Sequence, residues 1–215
     1  MDNKVKAILD ELLARYPELQ MCKRSIEEAY EILKKSYDNG GKLLVAGNGG
    51  SAADSEHIVG ELMKGFTKKR AVNKLFREQL MYVDPVEGEK LADRLQGALP
   101  AIALTGHTAL TTAYGNDVEG TFAFAQQLYG YGKAGDVFLG ISTSGNSRNV
   151  TAAAVVAKAM DIRVIALTGC SGGRLKPLSD CAIVVPSSET FKIQELHLPI
   201  YHVLCRMLEE TYFES

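Results

Sequence analysis

Five short apolar runs alternate with longer stretches of helical spacing along the chain: Lys42–Ala46, Leu99–Thr105, Asp136–Ile141, Ile162–Thr168 and Ala182–Pro186. Each is too short for a typical helix and is apolar nearly throughout, as in strands buried on both faces. The intervening stretches follow another rule. Residues 4–16 place Val5, Ile8, Leu9, Leu12 and Leu13 at helical spacing, and residues 20–37 do so with Ile26, Ala29, Tyr30, Ile32 and Leu33. Tyr16-Pro17 separates the two, which predicts an N-terminal helical hairpin over residues 1–40, ended by Asn39-Gly40-Gly41. Further helices are expected from Ser51 to about Phe66, over Ala109–Tyr114, Thr121–Tyr131 and Val150–Met160, and finally from Glu189 to Phe213. Strands alternating with helices predict an α/β fold, a parallel sheet covered on both faces.

Residues 67–98 break the rhythm. Leu75–Tyr82 and Glu89–Leu95 are mixed and amphipathic, with Asp84-Pro85 between them, and read as a helical insertion between strands, not a separate domain. The basic run Thr67-Lys68-Lys69-Arg70 reads as a solvated face.

Composition narrows the function classes. Hydrophobic residues make up 46% and charged residues 23% of 215 residues, enough for a sizeable core in one domain spanning 1–215. A formal net charge of -2 gives no footprint for nucleic acid or an anionic membrane, so any phosphate site must be local. Cys22, Cys170, Cys181 and Cys205 form no CxxC pair and suit a reducing compartment. The N-terminus opens a charged helix, not a signal peptide, and no apolar run is long enough to span a bilayer. A cytoplasmic location is expected.

The strongest chemical signal follows the third strand. Ser142, Thr143, Ser144 and Ser147 place four hydroxyls around Gly145 at the start of a helix. A helix N-terminus offers free N–H groups and a positive dipole end, which favour an anion, phosphate above all. A cap alone would need one hydroxyl, not four. Gly47-Asn48-Gly49-Gly50-Ser51, after the first strand, is a second strand-to-helix turn. It lacks the pattern of a dinucleotide fingerprint and the lysine of a P-loop, and fits close approach of a small polar ligand. Both loops leave carboxyl ends of strands, where parallel sheets bind ligands, so they can meet over one site.

His57 and Glu61 stand four residues apart on one helix face, a spacing suited to metal chelation, to acid–base work or to a plain surface pair. Gly115-Asn116-Asp117 reads as a polar turn. On the last helix, Gln194 and His202 share a face two turns apart, with His197 off that line; by pattern alone, His202 is a satisfied polar residue in an apolar helix. His107 reads as a surface-loop residue.

Taken together, Gly47–Ser51, the His57–Glu61 pair, Ser142–Ser147, and Gln194-Glu195 with His197 and His202 resemble the sugar-isomerase (SIS) family, most of all its phosphoheptose isomerases, from about residue 4 to residue 210. Residues 67–98 depart from it, standing where typical members have a short link. The resemblance implies a five-stranded, flavodoxin-like three-layer sandwich in a homotetramer with sites between subunits. It implies enediol chemistry converting sedoheptulose 7-phosphate to D-glycero-D-manno-heptose 7-phosphate, the entry to heptose biosynthesis. It also implies roles. Asn48, Gly49, Gly50, Ser51, Asn116, Asp117, Ser142, Thr143, Ser144, Ser147 and Gln194 contact substrate, as does Glu61. His57, Glu61, Gln194 and His202 hold one Zn2+ per subunit, and Glu61 with His202 forms the acid–base pair. Two other readings stand beside this one: another phosphosugar as ligand, or a non-catalytic tetrameric scaffold that associates with a replication initiator. The scaffold group is expected to lack the histidine equivalent to His202.

Overall fold

The computed structural model describes residues 1–213; the single-domain expectation of 1–215 includes two residues outside them. A five-stranded sheet has the order β2-β1-β3-β4-β5. The strands are β1 (Leu43–Ala46), β2 (Ala101–Ala103), β3 (Val137–Ser142), β4 (Arg163–Thr168) and β5 (Cys181–Val184), and every pairing is parallel. Alternation within the strands splits the core in two. Leu43, Val45, Leu139 and Ile165 point to one face, while Leu44, Ala46, Phe138 and Val164 point to the other.

The first face is covered by α1 (Asn3–Arg15), α2 (Lys23–Asp38), α3 (Gly50–Met63) and α9 (Thr190–Tyr212), which contribute Leu9, Ile26, Ile58 and Ile200. The second is covered by α7 (Ala123–Tyr131) and α8 (Arg148–Ala159), through Leu128, Val150 and Ala154. The sandwich is the one the apolar runs predict. Strand order reverses between β1 and β3, so the loops after these two neighbours diverge to opposite faces and leave a crevice between them. Those are the Gly47–Ser51 and Ser142–Ser147 loops.

The insertion forms α4 (Lys74–Val83) and α5 (Pro85–Arg94), an antiparallel hairpin in which α4 has no buried residue. Asn73 and Asp84 cap the two helices through their side chains, on Phe76 N–H and on the N–H groups of Val86 and Glu87. At its base the chain enters and leaves side by side: Ala71 bridges Gln96, and the Gly97 N–H donates to the Arg70 carbonyl at 2.7 Å.

Two expectations are corrected. Thr67–Arg70 is only in part a solvated face: Thr67 and Lys69 are exposed, but Arg70 is 2% exposed and pairs with Glu209, and Lys68 pairs with Glu210 at 2.8 Å. A buried guanidinium is tolerated there because an ion pair and backbone carbonyls satisfy it. Gly115-Asn116-Asp117 is not a turn but part of a π-helical segment, Gly115–Glu119, continuing α6 (Thr108–Tyr114). Among the described residues all four cysteines are free, and burial pushes the thiols of Cys181 and Cys205 up to about 12.

Candidate active site

The two loops at the switch point are joined. Asn48 and Asn149 exchange amide hydrogen bonds of 2.9 and 2.8 Å, tying the turn after β1 to the first residues of α8. Asn149 did not stand out in the sequence; its partner is 101 residues away. Gly145, at φ +68°, lets the serine loop turn against the backbone of Gly172 and Gly173.

Ser147 occupies the N-cap of α8, yet its side chain caps nothing. It meets the Ser142 hydroxyl at 2.9 Å. Ser144 Oγ accepts from the Asn146 N–H at 3.2 Å and is exposed, with Thr143 half-buried beside it. This is a cluster of hydroxyls at a helix N-terminus, where an anion is favoured. Asn48, Gly49 and Gly50 are exposed at the opposing turn, while Ser51 is buried at the first turn of α3 against Gly47. Asn116 and Asp117 are exposed and bond each other at 2.9 Å. Their segment reaches α8 through Glu119, which pairs with Arg148 at 3.3 Å.

Gln194, in the first turns of α9, lies over the start of α3. A Cβ on Gly50 would stand 2.6 Å from its Nε2, so any larger residue there would push the Gln194 amide aside. Farther along the same two helices lies the acid–base cluster. His57 Nε2 is 3.1 Å from Glu61 Oε1, and Lys64 Nζ is 3.2 Å from Glu61 Oε2. Tyr201 donates its hydroxyl proton to Asp54 at 3.1 Å, which leaves His57 Nδ1–H to donate to the Tyr201 oxygen at 3.0 Å. The Nε2···Oε1 contact then holds one further proton, on either atom. Burial raises the Asp54 carboxyl above its ordinary range, against the lowering effects of Tyr201 and His57.

His202 packs its ring 5.0 Å from that of His57 and 5.3 Å from that of Phe66. Its Nε2 is buried without a hydrogen-bond partner among the described residues. Burial lowers its pKa, the neighbouring His57 adds to this and Glu61 opposes it, so the ring is neutral at pH 7 with a lone pair or proton unspent. His202 also lines a cavity of about 380 Å3 with Phe66, Thr67, Pro199 and Arg206. His197 stands apart: it is fully buried, its ring nitrogens lack hydrogen-bond partners, and burial brings it down to about 4. His107 is exposed.

The structure thus brings together His57, Glu61 and His202 at one end of α3, and Asn48, Gly50 and Gln194 at the other. The donors of the first group suit zinc in type, and the unpartnered nitrogen of His202 is a vacant donor among them. Their arrangement is a hydrogen-bonded one: among the described residues no group of three or more His, Cys, Asp or Glu side chains is disposed to hold a metal ion.

Comparison with known proteins identifies the family. The SIS domain family matches residues 4–98 and 89–169. A phosphoheptose isomerase of Aneurinibacillus thermoaerophilus is 38% identical over 208 residues, 97% of this chain and 90% of that protein. Among solved structures, the phosphoheptose isomerase of Neisseria gonorrhoeae superimposes with a TM-score of 0.73 at 33% identity, covering 96% of this chain and 97% of the other. The Francisella tularensis phosphoheptose isomerase gives 0.75 at 32% identity, covering 97% of each. With near-complete coverage on both sides and the same five-stranded parallel fold, this chain belongs to the phosphoheptose isomerase family of SIS-domain proteins.

Proposed function

We propose that the chain interconverts sedoheptulose 7-phosphate and D-glycero-D-manno-heptose 7-phosphate through an enediol, at the head of a heptose-forming route. The observation that carries this reading is the meeting of Glu61 and His202 around His57, at the far end of a helix whose other end faces the hydroxyl-lined loop. Glu61 lies eleven residues beyond Gly50, about 16 Å along the axis at ~1.5 Å per residue. The substrate carries its phosphate on C7 and reacts at C1 and C2, so the reaction needs a phosphate anchor and an acid–base pair in separate places.

Ser142, Thr143, Ser144 and Ser147, with the N-terminus of α8, hold the phosphate. Asn48, Gly49, Gly50, Ser51, Asn116, Asp117 and Gln194 align the chain of hydroxyls. Of Glu61 and His202, one removes the proton from C1 and the other delivers a proton at C2. Glu61 is buried and His202 half-buried with its Nε2 enclosed, which favours proton transfer by positioned groups. Zinc held by His57, Glu61 and His202 belongs to the same proposal, supported by the unpartnered His202 Nε2, and when bound it would polarise the substrate carbonyl; Gln194, expected as a fourth ligand, stands over Gly50 at the other end of α3 and is not among these donors here. A homotetramer with sites between subunits is supported by apolar side chains left exposed on α3 and α9, namely Met63, Phe191 and Leu198. Four free thiols support a reducing, cytoplasmic setting. No helix of the described residues is long and apolar enough to cross a membrane.

The test is turnover of sedoheptulose 7-phosphate by purified protein, after chelation, with and without added zinc. Zinc-restored conversion is the expected result. Conversion without zinc removes the metal and keeps the acid–base pair. Well-folded protein that converts other sugar phosphates but not this one moves the substrate assignment, and protein that converts none returns the scaffold reading. Replacing Ser142 and Ser144 together by Ala is expected to raise KM at least tenfold with kcat less affected; an unchanged KM moves the phosphate elsewhere.

A further inference from the structure

Arg70 belongs to the run expected to lie in solvent, yet its guanidinium is fully enclosed and every side of it is used. Nε donates to Glu209 Oε1 at 2.8 Å, one terminal nitrogen to the Leu62 carbonyl at 2.8 Å, and the other to the Glu61 carbonyl at 2.9 Å. The last carbonyls of a helix have no partner within it, and here a fixed fork of donors takes two of them. One of the two residues so held is Glu61.

Glu209 is bound as tightly from its own side. Its carboxylate accepts the N–H groups of Phe66 and Thr67, both at 2.8 Å, the Thr67 hydroxyl at 2.5 Å and Arg70. It stands seven residues beyond His202 on α9, two turns on and on nearly the same face. Arg70 therefore bridges the end of the helix that carries Glu61 to the helix that carries His202. The contact runs through the Glu61 backbone, so it constrains where the side chain starts, not only whether the helix forms.

We propose that Arg70, seated on Glu209, is a positioning residue that sets the distance and aim of Glu61 relative to His57 and His202. The clamp rests on the reading of Glu61 and His202 as the acid–base pair for its effect on turnover, but its effect on the cluster's geometry stands without it. Arg70 also forms one side of the base of the α4–α5 hairpin, so the insertion is anchored through the same residue.

Arg70→Lys keeps a cation for Glu209 and cannot reach both carbonyls while doing so. In the full-length protein it is expected to lower kcat at least tenfold with KM within twofold of wild type. It is also expected to displace the 15N imidazole signals of His57 and His202. Ile162→Ala, a core truncation on the opposite face of the sheet, controls for lost stability and is expected to move neither. Arg70→Lys with normal kcat and histidine signals in place overturns the proposal. So does a loss of kcat that Ile162→Ala reproduces at equal stability. If Arg70→Lys does not fold, Thr67→Val removes one donor to Glu209 while leaving the charges paired. It must then give the same pattern in smaller size, a two- to fivefold loss of kcat with shifted histidine signals; unshifted signals overturn the clamp. Wild-type protein that fails to turn over any heptose phosphate refutes the reading of the site. The histidine signals still decide the clamp.

Discussion

Two charged clusters lie two turns apart on α9 and are built on opposite terms. Around Glu209 every polar atom has a partner: Arg70, two backbone N–H groups and a hydroxyl. Around His202 the pairing is left incomplete, with Nε2 buried and unbonded. An unpaired buried polar group costs stability, on the order of 1–3 kcal/mol. Unpaired nitrogens alone do not mark the chemistry, since His197 is buried with neither ring nitrogen paired; what sets His202 apart is that its free nitrogen lies beside His57 and Glu61.

The sharpest way to break the comparison is to substitute one member of each cluster. Glu61→Gln is expected to lower kcat by about 10^2–10^4-fold, the usual yield of a positioned acid or base, with melting unchanged within a few degrees. Glu209→Gln is expected to do the reverse in kind. It strands a buried guanidinium and costs about 3–5 kcal/mol of stability in denaturant titration. A variant pair in which Glu61→Gln unfolds the protein and Glu209→Gln does not would reverse the two roles.

The acid limb of stability separates the clusters again. Burial by itself would raise the Glu209 carboxyl, but the Thr67 hydroxyl, the N–H groups of Phe66 and Thr67, and Arg70 outweigh it and hold the group down to about 2, from an ordinary 4.5. A folded-state pKa below the unfolded one stabilises the fold above the unfolded value, and that contribution is lost as pH falls through the folded one. Unfolding measured between pH 5 and 2 is therefore expected to show a falling limb that flattens in Glu209→Gln and persists in Glu61→Gln. His202→Phe, which fills the same space beside Phe66 without an orphaned nitrogen, is expected to abolish turnover while leaving stability unchanged or raised by up to about 1 kcal/mol. The smallest effect is expected from Asn149→Ala. Losing the reciprocal amide pair loosens the two loops, and KM should rise a few-fold, corresponding to about 1 kcal/mol.

The frame and the chemistry were not equally visible in the sequence. The strands could be read because burial on both faces leaves unbroken apolar runs such as Leu43–Ala46 and Val164–Leu167. The hydroxyl loop could be read because all its groups are local. His57 and Glu61 could be paired because four residues on a helix fix a shared face. Arg70 could not be placed. A buried arginine and a solvated one look alike until the partner is known, and Glu209 is 139 residues away. The same holds for Asn149, whose amide looks like any polar residue in a first helical turn. The π-helical segment at Gly115–Glu119 was hidden for another reason: Gly-Asn-Asp is strong turn chemistry, overridden here by the helices on either side.

The base of the α4–α5 hairpin has a consequence for how such a chain is remodelled. Because Ala71 and Gln96 are bridged and Gly97 binds Arg70, the two ends of the insertion are already brought together by the host fold. Whatever is spliced between them closes its loop without asking the sheet to move. A protein engineer gains a ready grafting point for a reporter or a surface-attachment tag, placed between residues 73 and 95 and clear of the strands.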